Sequence, residues 1–305
     1  MIHHFVRAVI LAGFAFMIVY LFRTEQMTLY IAPRMELLVK LTALGLYAAS
    51  VYQVYAALQA RLRRHNHPHT ENCGCGQSHH KSPFKNAVMY GLFIFPLLLV
   101  FLVPAGTLGS ALAEKKGISF TGSETVSRSV ADNKPSTAWH DQSPATQADE
   151  QPSLSPTLEQ LFPYDEYTAD HAKLGMELYK QSLITVPDKQ FIETLTTLDL
   201  YRGALLGKEV EISGFVYREE EMGSGKMAVS RFAMNCCSAD ALPYGLMTLW
   251  PKAGHYAEDE WVTVRGKLTL TQYGENEIIA IEAIKVERIP APESPYVYPD
   301  LEFGL

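Results

Sequence analysis

Two short tracts hold most of the side chains able to do chemistry. The first runs His65-Asn66-His67-Pro68-His69-Thr70-Glu71-Asn72-Cys73-Gly74-Cys75-Gly76-Gln77-Ser78-His79-His80. Five of the ten histidines and two of the four cysteines fall here. Imidazole and thiolate are the ligands that Zn²⁺ prefers, and copper and nickel accept them too. Gly74 and Gly76 allow tight turns around Cys73 and Cys75. The cysteines stand in C-x-C spacing, not in the C-x-x-C of a folded zinc module. The tract therefore reads as a chelating loop in which His65, His67, His69, Cys73, Cys75, His79 and His80 hold zinc or another transition metal. A His-rich polar linker is the plainer alternative.

The second tract is Arg231-Phe232-Ala233-Met234-Asn235-Cys236-Cys237-Ser238-Ala239-Asp240. Met234, Cys236, Cys237 and Asp240 bring a thioether, two adjacent thiols and a carboxylate to the end of an expected strand. That set suits a soft ion, a partner contact or a redox pair. In the plainer reading Cys236 is core, Cys237 is its chance neighbour and Asp240 caps the next turn. The sequence has no Gly-rich phosphate loop, no H-E-x-x-H and no G-x-S-x-G. Glu219, Glu220 and Glu221 read as a solvated hairpin tip, and His255 as a surface residue. No catalytic residue is expected, and the chain is read as non-enzymatic.

The elements that must position these tracts differ sharply along the 305 residues. Residues 1–156 carry 13 Lys/Arg and 9 Asp/Glu, whereas 157–305 carry 13 and 24. One half is apolar and mildly basic, the other acidic and mixed. An acidic face repels phosphate, so nucleic acid is not an expected partner. Ala8–Phe22, Leu41–Ala60 and Asn86–Ala113 are uncharged for 15, 20 and 28 residues. A spanning helix needs roughly 20, and Arg7 and Arg23 can snorkel to lengthen the first. Its exit, Tyr20-Leu21-Phe22-Arg23, lacks a small-residue cleavage site, which favours an uncleaved anchor. Pro96 and Pro104 inside the third kink a helix in lipid without ending it. Three transmembrane helices are expected in residues 1–116, with the His/Cys-rich loop at 61–85.

Lys and Arg in the short loops set the orientation. Arg7, Arg61, Arg63, Arg64, Lys81 and Lys85 lie on one side; Arg23, Arg34, Lys115 and Lys116 lie on the other. The richer side goes inside, which leaves the carboxy-terminal domain extracytoplasmic on a multi-pass cell-membrane protein.

Residues 117–156 are rich in Ser, Thr, Asp, Gln, Ala and Pro and read as a disordered, flexible linker. Residues 157–305 read as helices followed by strands. Helical spacing is expected over Asp165–Gln181, and again after Pro187-Asp188, where Phe191, Leu195 and Leu198 share a face. The period then drops to two. Strands are expected at Val210–Phe215, Met227–Met234, Tyr244–Trp250, Trp261–Leu270 and Ile278–Val286, with a turn at Tyr273-Gly274-Glu275-Asn276. Gly214 and Gly266 would allow strands to bend at corners. The opening Gly-Lys-x-Val-x-Ile-x-Gly-x-Val resembles the first strand of an OB-fold. A helical turn is expected near Ser238–Leu242, and little room for a helix is left in Pro251–Glu260. The fold class is thus α+β: three transmembrane helices, a linker, then helices and a small OB-like β-barrel.

Several strings resemble the YcgQ-like bacterial membrane proteins, described as permease subunits. They are Leu29-Tyr30-Ile31-x-Pro33-Arg34, Pro104-Ala105-x-Thr107-Leu108-x-Ser110, Gly214-Phe215-Val216-Tyr217-Arg218, Arg231-Phe232-x-Met234-x-Cys236-Cys237-x-Ala239-Asp240 and Pro295-Tyr296-Val297-Tyr298-Pro299. The resemblance implies a lipid-embedded partner of a separate multi-spanning permease and transfers no catalytic residue. The chain itself has too few spans and no paired intramembrane charges to be a pore. An accessory transporter subunit that handles transition-metal ions is therefore expected. A stand-alone membrane metal-binding or metal-sensing protein is the first alternative, and a membrane-tethered thiol redox protein the second.

Overall fold

A computed structural model describes residues 2–65, 83–102, 117–120, 158–219 and 222–304. The chain divides into two compact units, Met1–Thr107 with Cys236–Ser238, and Leu108–Asn235 with Ala239–Leu305.

The first unit is helical. Helix α1 spans Ile2–Arg23, α2 Glu36–His65 and α3 Pro83–Leu102. Ala8, Ile10, Ala15, Ile18 and Leu21 are buried, whereas Val9, Phe16 and Val19 point outward. Small residues allow close approach, as is usual among membrane helices. A Cβ on Gly13 of α1 would come within 3.1 Å of Leu97 on α3. Polar groups inside this unit are paired: the buried Ser50 hydroxyl donates to the Ala8 carbonyl at 2.9 Å, and His4 Nδ1 lies 2.9 Å from Gln53 Oε1. Between α1 and α2 the chain makes two 3₁₀ turns, Gln26–Leu29 and Pro33–Met35.

Among the described residues, two helices, His4–Arg23 and Pro33–Gln59, are long and apolar enough to cross a bilayer, so two of the three expected spans have a candidate here. The apolar part of α3 among the described residues is Val88–Leu102, shorter than a span needs. Residues 103–116, which would extend it, lie outside the described residues. Pro96 sits inside α3 without ending it.

The second unit begins with a short docked segment. Ser119 bridges to Tyr244, and Phe120 is buried with its ring 4.9 Å from that of Tyr273. Residues 117–120, expected to open the linker, are thus anchored to the folded unit, where Phe120 supplies a buried apolar side chain. Residues 121–157 lie outside the described residues.

Four helices follow: α4 Leu158–Leu161, α5 Ala169–Lys180, α6 Phe191–Leu200 and α7 Arg202–Leu205. Gly175 of α5 is required where the helix crosses Phe162, since a Cβ there would stand 2.7 Å from the ring. Strand β1, Leu183–Thr185, lies between α5 and α6.

The five expected strands are present as β2 Glu209–Tyr217, β3 Lys226–Ala233, β4 Leu242–Leu249, β5 Trp261–Tyr273 and β6 Asn276–Arg288. A short β7, Tyr296–Val297, completes a seven-stranded mixed sheet ordered β1-β2-β5-β6-β4-β3-β7. An additional pairing joins β2 to β3 through Phe215–Tyr217. Each of β2 to β6 therefore has hydrogen-bonded neighbours on both sides. Strand β5 alternates as expected: Val262, Val264, Gly266 and Leu268 are buried, and Arg265 and Lys267 are exposed. The β5–β6 hairpin closes through Gly274 at φ 59°. Gly214 is needed where β2 passes β3, because a Cβ would lie 2.5 Å from the Ser230 carbonyl oxygen.

Side chains from α5, α6 and the sheet form one core that includes Leu178, Phe191, Leu198, Val229, Leu246 and Ile281. The 3₁₀ turn of the β4–β5 connection is at Ala253–His255, inside the stretch expected to leave little room for a helix. Ser238–Asp240 forms a plain turn where a helical turn was expected.

Candidate functional site

The β3–β4 connection carries the second chemical tract. Ala233 pairs with Leu242, so residues 234–241 form the loop of an antiparallel hairpin. Its base is apolar. Met234 and Ala241 are fully buried, and the Met234 amide donates to the Val297 carbonyl at 3.0 Å. Met234, expected among the candidate ligands, is an anchor that seats the loop on the core. Across the loop, the Asn235 amide donates to Asp240 Oδ1 at 3.2 Å. This bond closes the loop mouth and orients the carboxylate.

Cys236 and Cys237 are half-buried thiols that are not joined in a disulfide, and their sulfurs lie 3.7 Å apart. One ligand atom from each of Cys236, Cys237 and Asp240 falls within 4.8 Å of the others. Within the first unit, the Cys237 backbone bridges to Ile31, Cys236 C=O accepts from the Ala32 amide at 3.0 Å, and the Ser238 amide donates to Tyr30 C=O at 2.8 Å. The backbone carrying both thiols is therefore fixed. Chemically the arrangement offers two soft donors and one hard donor to a single small ion, or a dithiol to an oxidant.

Of the first tract, His65 is the last residue of α2. His67, His69, Cys73, Cys75, His79 and His80 lie outside the described residues.

Arg231, which opens the second tract, is structural. It is buried, donates to Asp188 at 2.8 Å and to the carbonyls of Pro295 and Ser294, and lies over the Trp261 ring. The guanidinium thus holds the approach to β7 against β3. Glu219 is not simply solvated, since it accepts from the hydroxyls of Tyr217 at 2.6 Å and Tyr273 at 2.7 Å. His255 is exposed, as expected.

Sequence reasoning missed a polar set around α6. Glu193, Thr194, Thr196, Thr197 and Asp199 are all buried beside the expected apolar face. Thr196 meets the Tyr244 hydroxyl at 3.2 Å, Thr197 meets His171 Nδ1 at 2.8 Å, and Glu193 Oε1 accepts from the Asp300 amide at 2.8 Å. Burial pushes the Glu193 carboxyl and the Tyr244 hydroxyl up and the His171 imidazole down, so all three favour their neutral forms. The signal was available as polar residues on every turn of a short helix, but burial on all sides is a tertiary property that spacing does not carry.

Comparison with known proteins gives a consistent picture. The DUF1980 N-terminal domain model matches residues 6–119, and the DUF1980 C-terminal domain model matches residues 161–299. UPF0703 protein YcgQ of Bacillus subtilis is 25% identical over 299 residues, covering 96% of this chain and 98% of that protein. A Streptococcus mutans protein named "Putative two-component membrane permease complex subunit" is 23% identical over 300 residues, covering 96% and 98%. No solved structure matches.

Proposed function

We propose that this chain, which belongs to the YcgQ-like family and carries both DUF1980 domains in order, is the membrane-anchored accessory subunit of a two-component permease. The pore would be a separate multi-spanning protein. The observation that carries this reading is the end-to-end similarity to the Streptococcus mutans protein of that name, 96% of this chain against 98% of that one. The outward-facing apolar side chains of α1, α2 and α3 support it, because such a surface needs lipid or another helix to cover it.

In this reading α3 completes a third span with residues beyond Leu102. The amino terminus and the His/Cys loop face the cytoplasm, and the second unit works outside. The loop concentrates a transition-metal ion beside the pore, a role supported by its ligand composition alone. Strands β2 to β6 form an OB-like barrel, which their pairing circuit supports: β2–β3, β3–β4, β4–β6, β6–β5 and β5–β2.

The test is affinity purification of the tagged full-length chain from native membranes in mild detergent. A multi-spanning protein should co-elute in fixed ratio, and its deletion should give the same transport defect as deletion of this chain, without additivity. A chain that elutes alone but loaded with metal would replace the subunit reading with that of a stand-alone metal-binding protein.

A further inference from the structure

We propose that Cys236, Cys237 and Asp240 form a binding site for a thiophilic divalent ion of the zinc class. The site differs from the His/Cys loop and does not depend on the permease reading. The argument begins with the sulfur separation. Two thiolates on one tetrahedral Zn²⁺, each at about 2.3 Å, lie roughly 3.8 Å apart. The Cys236 and Cys237 sulfurs already lie 3.7 Å apart, so both can ligate one ion with little movement. A carboxylate oxygen of Asp240 lies within 4.8 Å of both. A zinc–oxygen bond of about 2.0 Å would place that oxygen roughly 3.5 Å from each sulfur, which a small torsional change of the Asp240 side chain supplies.

Support around the ligands fits the same reading. The Asn235 amide bonded to Asp240 Oδ1 is an outer contact of the kind that orients a ligating carboxylate. Met234 and Ala241 hold the loop ends in the core, so the geometry is fixed before any ion arrives. Both thiols are half-buried and Asp240 is exposed, which leaves a path for the ion. Three protein ligands leave a fourth position open to water or an incoming group, as in exchangeable rather than closed structural sites. Two thiolates and a carboxylate favour zinc-class ions over Mg²⁺ and Ca²⁺, which prefer oxygen.

The test uses the full-length chain in detergent and needs no variant at first. The rate of iodoacetamide alkylation is read peptide by peptide, so Cys236 and Cys237 are scored apart from Cys73 and Cys75. Micromolar Zn²⁺ should slow alkylation of both at least about tenfold, and excess Mg²⁺ should not. Asp240→Asn, which keeps the loop mouth's acceptor oxygen, should weaken the protection by about 10–100-fold in metal concentration, the range seen when support for a metal site is lost. Unchanged alkylation of Cys236 and Cys237 at millimolar Zn²⁺ would overturn the proposal. So would protection in a folded D240N variant at the wild-type zinc concentration.

Discussion

The two units use the same residue types in opposite ways. In the helical unit large apolar side chains face outward: Phe16 is 63% exposed, Leu44 64% and Tyr52 67%. In the sheet unit their counterparts face inward, with Phe162, Phe191 and Phe232 at 0%. Buried polar groups follow the same split. The helical unit pairs Ser50 with a backbone carbonyl and leaves its outer surface apolar, whereas the sheet unit collects Glu193, Thr196, Thr197 and Asp199 under α6. The difference teaches that the chain is built for two solvents. Burial predicts stability in one unit, and in the other it marks only the contacts among helices.

That contrast can be broken or sharpened by substitution. The largest effect is expected for Phe232→Ala, because Phe232 stacks on Phe215 at 4.8 Å in the fully closed core. It should destabilise the sheet unit by about 3–5 kcal/mol, read by denaturant unfolding of the detergent-solubilised chain. A loss within experimental error would mean that this core is not packed as described.

Leu44→Asp comes next. Leu44 lies near the middle of the Pro33–Gln59 span and is exposed. In water such a change would stay within roughly 0.5 kcal/mol. At the centre of a bilayer helix it should cost roughly 2.5–3.5 kcal/mol, visible as a reduced inserted fraction in a membrane-integration assay. Full insertion would argue that this face meets water.

A smaller effect is expected in the pH profile. Burial pushes the Glu193 carboxyl above the ordinary carboxylate range. The folded state therefore keeps this proton where the unfolded chain has released it. The group's contribution is fully present at low pH and falls as pH rises from about 4.3 through the raised value. Glu193→Gln should remove that decline, so the melting curves of wild type and variant should diverge as pH rises through this window. Parallel curves would show that Glu193 titrates as it does in the unfolded chain. The smallest effect is expected for Phe16→Ala, which should change stability in lipid by no more than about 0.5 kcal/mol because lipid replaces the lost contacts.

Much of the sheet unit was legible because strand alternation is a local property. Val262, Val264 and Leu268 declared the inner face of β5, and Gly274 declared its turn. Strands β1 and β7 were not legible. They are three and two residues long and exist only through pairing with β2 and β3. The loop thiols and Asp240 were legible as a candidate site from residue type. That Met234 is fully buried was not legible, because a thioether in a loop and a thioether under a loop look alike in sequence. The Arg231–Asp188 pair joins residues 43 apart, a contact that no spacing rule reaches.

The two-solvent account is tested most directly by labelling the full-length chain in native membranes with a lipid-soluble photoreactive probe and mapping the adducts by mass spectrometry. The account predicts adducts on the outward faces of α1 and α2, at residues such as Phe16, Leu44 and Tyr52, and none on Phe162, Phe191 or Phe232. Release of the chain by alkaline wash, or equal labelling of the helical and sheet units, would contradict it.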